Sequence, residues 1–340
     1  MKIPRALAWA ILGGGFLTAG LLRRFHGGTP VSPYLHPLVG SLLFLGIVLL
    51  LLIASWEHRR GAVGGRGVRL GSLLPLLLML FVEKWASTAW YVPVFQRISD
   101  PARDPRWLDA SFALFAGALL LLWCGLFRRF SPPLVPVLVK WRSPRGAVEG
   151  LVIVGAAVLA SLGLLGLLGR FTGGAGTLRT SLDGSLLGWT WAGQGLLAFA
   201  EETYYRGVLL AETYRISARL GVRAAAARRW IALAATAALF ATEHLRFGAQ
   251  GDVGRQWLFT FSLGVLFGLM VLLRRNLWTA AFLHGWINAL VLGAAPRWET
   301  ANGDPRFGSG AYIGLVLALT FVGVFWRARR REPSSPLSSN

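Results

Sequence analysis

The chain has 340 residues, of which 54% are hydrophobic and 15% charged, and its formal net charge is +20. A soluble domain carries about a quarter charged residues, so the composition excludes an ordinary soluble enzyme and indicates a polytopic helical membrane protein. A single cysteine, Cys124, excludes an intramolecular disulfide and a cysteine-based metal cluster.

The apolar runs predict about ten transmembrane helices and no soluble domain, hence an all-α helical bundle. The runs lie at residues 6–22, 38–55, 70–92, 110–127, 148–168, 186–216, 230–245, 257–273, 277–295 and 311–326. Basic connections follow helices two, four, six and eight, and both termini are basic, whereas the other connections are mostly mixed or neutral. Arg23-Arg24, after helix one, is the exception. This alternation predicts that both termini are cytoplasmic.

The positive charge does not indicate a nucleic-acid partner. Arginines cluster between apolar runs, as at Arg59-Arg60 and Arg128-Arg129, which is the distribution of helix-flanking charges. A DNA-binding face would need a soluble module to display it, and the sequence contains none. The expected partner is the lipid bilayer, in a prokaryotic cytoplasmic membrane, where anionic headgroups attract these arginines.

Polar groups inside the later apolar runs need a specific explanation. An ionisable group near the bilayer centre costs roughly 2.5–3.5 kcal/mol, so it is expected to pair, to face water or to take part in chemistry. The residues concerned are Glu201, Glu202 and Arg206 in helix six, His244 in helix seven, and His284 and Asn288 in helix nine.

The spacing of these groups predicts how they are arranged. Glu202 and Arg206 are four residues apart, so they lie on one helix face and can pair. Glu201 is rotated by about 100° from Glu202 and can face a different wall. His284 and Asn288 are again four apart and present a ring nitrogen and an amide to one side.

Depth indicates that the three helices contribute to one site. At 1.5 Å per residue, Glu201, His244 and Asn288 each lie roughly 20–22 Å from the basic end of their own helix. A lone membrane histidine or Glu–Arg pair is usually structural, Phe240 alone is usually core packing, and Glu243 is expected at an interface. Groups at a common depth on three helices favour a functional site instead.

The motifs Glu201-Glu202-x-x-x-Arg206, Phe240-x-x-x-His244 and His284-x-x-x-Asn288 resemble those of the CPBP family. This is the CAAX-protease and bacteriocin-processing family of intramembrane endopeptidases, also called the Abi family. The resemblance covers about residues 186–295. It divides the chain into N-terminal helices of unassigned role (1–185), a catalytic core (186–295), a final loop and helix (296–326) and a basic Ser/Pro-rich tail (327–340) expected to be disordered.

The resemblance implies hydrolysis of a peptide bond in a membrane-associated protein or peptide. Glu201 would activate water with help from His244, and His284 and Asn288 would stabilise the oxyanion. The supporting residues would be Glu202, Arg206 and Phe240. The motifs contain no serine, threonine or cysteine that would indicate a covalent nucleophile. The substrate could be a CAAX-type tail, a bacteriocin leader or the sorting tail of a surface protein.

Two questions stay open at the level of sequence. Glu201, His244 and His284 could form an open zinc site, but there is no His-Glu-x-x-His pair, so the prediction is an enzyme without a cofactor. The alternatives to an enzyme are a non-catalytic bacteriocin-immunity or scaffold protein and a proton-coupled transporter. A scaffold needs none of these groups, and a transporter should show broken helices in two repeated halves.

Overall fold

The computed structural model describes residues 2–3, 5–14, 68–69, 77, 80, 117, 144–171, 177–179, 184–244, 253–274, 276–291, 297–299 and 309–329. These residues are almost entirely helical, as the apolar runs predict, because a helix satisfies its own backbone hydrogen bonds inside a bilayer. From residue 144 onward the described helices are α1 (Pro144–Phe171), α2 (Gly184–Glu202), a π-helical segment (Thr203–Leu209), α3 (Leu210–Arg219), α4 (Ala225–His244), α5 (Val253–Arg274), α6 (Leu277–Val291) and α7 (Ser309–Arg329).

Among the described helices, three are long and apolar enough to cross a membrane. They are Pro144–Phe171, Val253–Leu273 and Gly310–Arg327, and α6 is a shorter apolar helix. Residues 5–14 are helical within the first predicted run. The predicted helices at 38–55, 70–92 and 110–127 lie outside the described residues, apart from single helical positions.

Within the described part of the chain, four short strands fall in segments predicted as loops or connections. β1 (Lys2–Ile3) pairs antiparallel with β2 (Val68–Arg69), and β3 (Thr177–Arg179) pairs antiparallel with β4 (Arg297–Glu299). Strands of two or three residues show no period-2 pattern, and each partner lies far away in the sequence. Their pairing therefore left no signal that sequence analysis could detect.

The chain forms two compact units, with boundaries inside α2 and α5. The first unit consists of residues 1–136 and 200–268, and the second of residues 137–199 and 269–340. In the first unit, the π segment, α3 and α4 pack against one another. In the second, α1 packs against α6 and α7.

The predicted helix at 186–216 is three successive segments that continue to Arg219. Gly221 ends α3, because its φ of 96° is the left-handed conformation that glycine adopts without strain. Its N–H donates to Ala218 O at 3.1 Å, and the N–H of Val222 donates to Ser217 O at 3.0 Å. These two bonds form a Schellman motif, so the basic connection before α4 is shorter than predicted.

Polar contacts in the second unit hold α6 against α1. Asn276 caps α6, since its Oδ1 accepts the N–H of Trp278 at 3.0 Å. Its Nδ2 also donates to Gly146 O of α1 at 2.9 Å. A Cβ at Gly150 would lie 2.8 Å from the backbone nitrogen of Thr279, so glycine permits this close approach of the two helices.

Candidate active site

Two neighbouring glutamates end helix α2 in different surroundings. Glu202 is 0% exposed, whereas the side chain of Glu201 is 21% exposed. Successive residues on a helix point about 100° apart, which lets one carboxylate enter the packed interior while the other stays accessible. Glu201 is therefore accessible to water, whereas the neighbouring Glu202 is shielded from it.

Arg206 in the π segment is the partner of Glu202. Its Nη1 lies 3.1 Å from Glu202 Oε1, and its Nη2 donates to Gly264 O of α5 at 3.3 Å. A buried charge is tolerated when it is both paired and hydrogen bonded, and these contacts meet both conditions. The pairing of residues four apart, expected from their spacing, is present even though a π segment begins between them.

Phe240 of α4 lies at the centre of an aromatic cluster. Its ring centroid is 4.3 Å from the Arg206 guanidinium carbon, 5.1 Å from the ring of Tyr205, 4.1 Å from that of His244 and 6.4 Å from that of Phe267. An arginine over an aromatic face is stabilised by the ring quadrupole. Phe240 therefore connects the buried ion pair to the histidine, in addition to filling the core.

The contacts of His244 identify its tautomer. Its Nδ1 lies 2.8 Å from the carbonyl oxygen of Phe240, one turn earlier in α4. A carbonyl oxygen only accepts, so Nδ1 carries the proton and Nε2 is the acceptor of the neutral ring. Gln256 of α5 donates to the carbonyl oxygen of His244 at 3.3 Å, which attaches the end of α4 to the neighbouring helix.

Glu201 and His244 face each other with Oε2 and Nε2 4.0 Å apart. This distance is too long for a direct hydrogen bond. A water molecule about 2.8 Å from each atom would fit between them and could donate one hydrogen to each. A zinc ion bonded to both atoms at about 2.0–2.2 Å would need an angle of roughly 140° or more between them, which is wider than the tetrahedral angle that zinc prefers.

The second unit contains the third motif. His284 is buried on α6, and Asn288 is half-buried one turn later. Between them, Gly285 faces α2, where an added Cβ would lie 3.3 Å from Gly195 Cα. The structure thus brings the first two motifs together in the first unit and places the third on a helix of the second unit.

Four residues of the first unit have contacts in and around the motifs that were not predicted from the sequence: Tyr205, Glu243, Gly264 and Phe267. Glu243 was expected at an interface, but it is 1% exposed and its Oε2 accepts a hydrogen bond from the Tyr205 hydroxyl. The position of Glu243 directly before His244 could have indicated that it lies near the site. Gly264 and Phe267 lie in an apolar run, which does not reveal their contacts with Arg206.

Residues 184–290, just under a third of the chain, match the family model described as "Type II CAAX prenyl endopeptidase Rce1-like". The match begins with α2 and ends in α6, so it includes all three motifs. The family resemblance predicted from the motifs is confirmed over this range. The family and the three apolar helices indicate an integral membrane protein. No curated protein and no solved structure matches the chain.

Proposed function

We propose that this integral membrane protein is an intramembrane endopeptidase whose catalytic part is the Rce1-like domain at residues 184–290. The proposed substrate is a membrane-associated protein or peptide with a prenylated CAAX-type tail, which is the class named in the family description. A bacteriocin leader and the sorting tail of a surface protein are the other classes to be compared. The proposed membrane is the cytoplasmic membrane of a prokaryote.

The arrangement of Glu201 and His244 carries this proposal. Two acceptor atoms face each other across 4.0 Å, and both side chains are about a fifth exposed. A water held between them has its hydrogens directed at Oε2 and Nε2 and its oxygen lone pairs directed away. Such a water is oriented and polarised for attack on a carbonyl carbon.

The proposed reaction is a direct hydrolysis. The water oxygen bonds to the carbonyl carbon while Glu201 takes one proton, and His244 Nε2 accepts a hydrogen bond from the other hydrogen. The C–N bond then breaks, and the proton held by Glu201 passes to the leaving nitrogen. The second hydrogen of the attacking water passes from the new carboxyl group to the amine, so the products are a carboxylate and an ammonium group, and Glu201 returns to its starting state.

His284 and Asn288 are assigned to the oxyanion by their chemistry and by the motif. An imidazole N–H and an amide N–H are both donors, and donors directed at the developing oxyanion usually contribute a large part of the rate enhancement. Glu202, Arg206 and Phe240 support the site. Arg206 is held in the core by Glu202 Oε1, by the Gly264 carbonyl and by the face of the Phe240 ring.

The proposed enzyme uses no metal. Glu201, His244 and His284 are zinc-type ligands, but the wide angle that zinc would need between Glu201 Oε2 and His244 Nε2 supports a water instead. Treatment of the purified protein with a chelator is expected to leave cleavage unchanged. Loss of cleavage that added zinc restores would contradict this part of the proposal.

The test uses the purified full chain in liposomes with four peptides. These are a farnesylated peptide with a CAAX tail, the same peptide without the lipid, a bacteriocin-type leader and a sorting-tail peptide. Glu201→Ala and His244→Ala should each lower kcat on the farnesylated peptide by about 10²- to 10⁴-fold. In ¹⁸O-labelled water, one ¹⁸O atom should enter the new carboxylate.

Glu149→Ala is the matched control, because Glu149 is a half-buried carboxylate on α1, outside the motifs. It should retain nearly the full rate. Unchanged cleavage by both Glu201→Ala and His244→Ala would contradict the catalytic roles of these two residues. No cleavage of any peptide by the wild-type protein would favour a non-catalytic or transport role.

A further inference from the structure

Two pairs of adjacent polar residues meet in the first unit, and one member of each pair is held by a buried bond. Glu202 is buried against Arg206, and Glu243 is buried with the hydroxyl of Tyr205 donating to its Oε2. Their neighbours Glu201 and His244 are about a fifth exposed and face each other. The arrangement of the Glu201–Glu202 pair is thus repeated by Glu243 and His244.

The Tyr205–Glu243 bond connects the two chain segments that carry the first two motifs. Tyr205 immediately precedes Arg206 in the π segment, and Glu243 immediately precedes His244 in α4. The hydroxyl and the carboxylate therefore join these segments next to Arg206 on one side and next to His244 on the other.

The ring of Tyr205 reinforces the same connection. It meets the ring of Phe240 in an edge-to-face arrangement, with centroids 5.1 Å apart and an interplanar angle of 84°, and the Phe240 ring lies 4.1 Å from the His244 ring at a tilt of 42°. His244 is thus oriented by Phe240 on one side and follows a residue bonded to Tyr205. A shift of the π segment relative to α4 would change both contacts together.

Burying a carboxylate is unfavourable, and a contact that only packs two helices does not require one. Glu243 is 1% exposed, and a buried carboxylate has a large desolvation cost unless a partner compensates for it. An apolar side chain would pack the same position without that cost. The desolvation cost of Glu243 has an explanation if its directional hydrogen bond sets the relative placement of the two segments.

We propose that Glu243 and Tyr205 act together as positioning residues for His244, keeping its Nε2 opposite Oε2 of Glu201. This inference rests on the proposed function. In this role Glu243 is a hydrogen-bond acceptor and does not transfer a proton to or from the substrate.

The test compares three variants of the full chain in liposomes. Tyr205→Phe removes the donor but retains the ring, Glu243→Leu removes the acceptor, and Glu243→Gln retains an acceptor oxygen without the charge. The first two should lower kcat about 10- to 100-fold with little change in KM, the loss expected for a small misplacement of a catalytic group. Glu243→Gln should restore kcat to within about threefold of wild type, since Tyr205 can still donate to it.

Tyr204→Phe is the matched control. Tyr204 is also a buried tyrosine in the π segment, with its ring 4.8 Å from that of Tyr205, but its substitution leaves the bond to Glu243 intact. It should retain the wild-type kcat. The double variant Tyr205→Phe/Glu243→Leu should be no slower than either single variant, because both remove one interaction.

A second readout does not depend on activity. The ring ¹³C–¹H spectrum of the five histidines can be recorded on the solubilised chain, with the His244 signal assigned by its loss in His244→Gln. Tyr205→Phe should move this signal and Tyr204→Phe should not. If wild type shows no Glu201-dependent cleavage, the proposed function fails, and the position of the His244 signal still decides this inference.

Two results would overturn the positioning role. In the first, Tyr205→Phe leaves both kcat and the His244 signal unchanged. In the second, Glu243→Gln is as slow as Glu243→Leu, which would mean that the charge or a proton of Glu243 takes part in the reaction.

Discussion

At the scale of single residues, Glu201 and Glu202 show how adjacent identical side chains acquire different surroundings. Glu202 is buried and forms an ion pair with Arg206, whose guanidinium also contacts Gly264 O and the face of Phe240. Glu201 keeps part of its surface accessible and faces His244. The difference comes from the 100° step between helical neighbours, which sends one carboxylate into the packing and the other away from it.

This division predicts that two isosteric substitutions separate activity from stability. Glu202→Gln leaves the buried charge of Arg206 without its counter-charge and should lower the free energy of unfolding by about 3–5 kcal/mol. Glu201→Gln should lower kcat by about 10²- to 10⁴-fold and leave the free energy of unfolding nearly unchanged. Denaturant titration in mixed micelles and the peptide assay measure the two quantities on the same preparations.

Each variant is the control for the other, since both replace one carboxylate oxygen by an amide nitrogen in neighbouring positions. Equal losses of stability in the two variants would contradict the assignment of Glu202 as the structural member of the pair.

At the scale of elements, the π segment determines which side chains reach the core of the first unit. It begins directly after Glu202, and Tyr204 through Leu209 are all buried. π-helical turns are rare and occur frequently at functional sites. Here the turn lies between the two glutamates and α3, and it carries both Tyr205, whose ring packs perpendicular to that of Phe240, and Arg206, which lies over the Phe240 ring.

Helix α5 packs closely against this core because Gly264 has no side chain. A Cβ at this position would lie 3.0 Å from Ala237 Cα and 3.4 Å from Phe240 Cδ1. The first of these is a backbone atom of α4 and cannot move aside independently. Glycine therefore lets α5 approach α4 closely enough for the Gly264 carbonyl to accept from Arg206.

Gly264→Ala is expected to separate α5 from α4 and to lengthen the bond between Arg206 and the carbonyl. The free energy of unfolding should fall by about 1–3 kcal/mol, the usual cost of overpacking, and kcat should fall with it. Unfolding titrations and the peptide assay measure both effects.

Gly155→Ala is the control for a helical glycine as such. A Cβ at Gly155 of α1 would meet nothing within 4 Å, so the substitution should be neutral or stabilising by up to about 1 kcal/mol. If Gly155→Ala and Gly264→Ala had the same effect, close approach would not be the reason for glycine at position 264.

At the scale of the whole molecule, the surface of the long helices fits a lipid environment. Leu159 and Phe171 of α1 are 71% and 86% exposed, and Val322 of α7 is 62% exposed. Large exposed apolar side chains along membrane-length helices are expected where lipid replaces water as the neighbour. With 28 residues at 1.5 Å each, α1 measures roughly 42 Å and exceeds the hydrocarbon thickness of about 30 Å.

The alternation of basic connections predicts the orientation of α1. Arg145 at its start belongs to a basic connection and should be cytoplasmic, whereas Leu178 in β3 should lie outside. With Cys124, the only cysteine, replaced by serine, Arg145→Cys or Leu178→Cys gives one labelling site in each variant. A membrane-impermeant maleimide should label Leu178→Cys in intact cells and Arg145→Cys only after the cells are opened.

The reverse labelling pattern would invert the predicted topology. Because Arg145 and Leu178 flank the same helix and are both exposed, they serve as controls for each other's accessibility. Labelling of both positions in intact cells would contradict a membrane-spanning α1.

Much of the fold was predictable because a bilayer allows few solutions for the backbone. An apolar run of membrane length must form a helix, and the described helices from α1 onward match the predicted runs with ends that differ by a few residues. Local signals set individual helix ends. Gly221 ends α3 through its conformation, three residues beyond the predicted end, and Asn276 caps α6, which begins at Leu277 as predicted.

Motif spacing alone was enough to single out the candidate residues and to predict the ion pair between Glu202 and Arg206. Local spacing on one helix is sufficient for such pairs, because the geometry of the helix is known in advance. Only the tertiary structure decided that Tyr205 bonds to Glu243 and that Arg206 reaches the carbonyl of Gly264. These partners are 38 and 58 residues apart, and no periodicity in an apolar run specifies which residue of another helix will lie opposite.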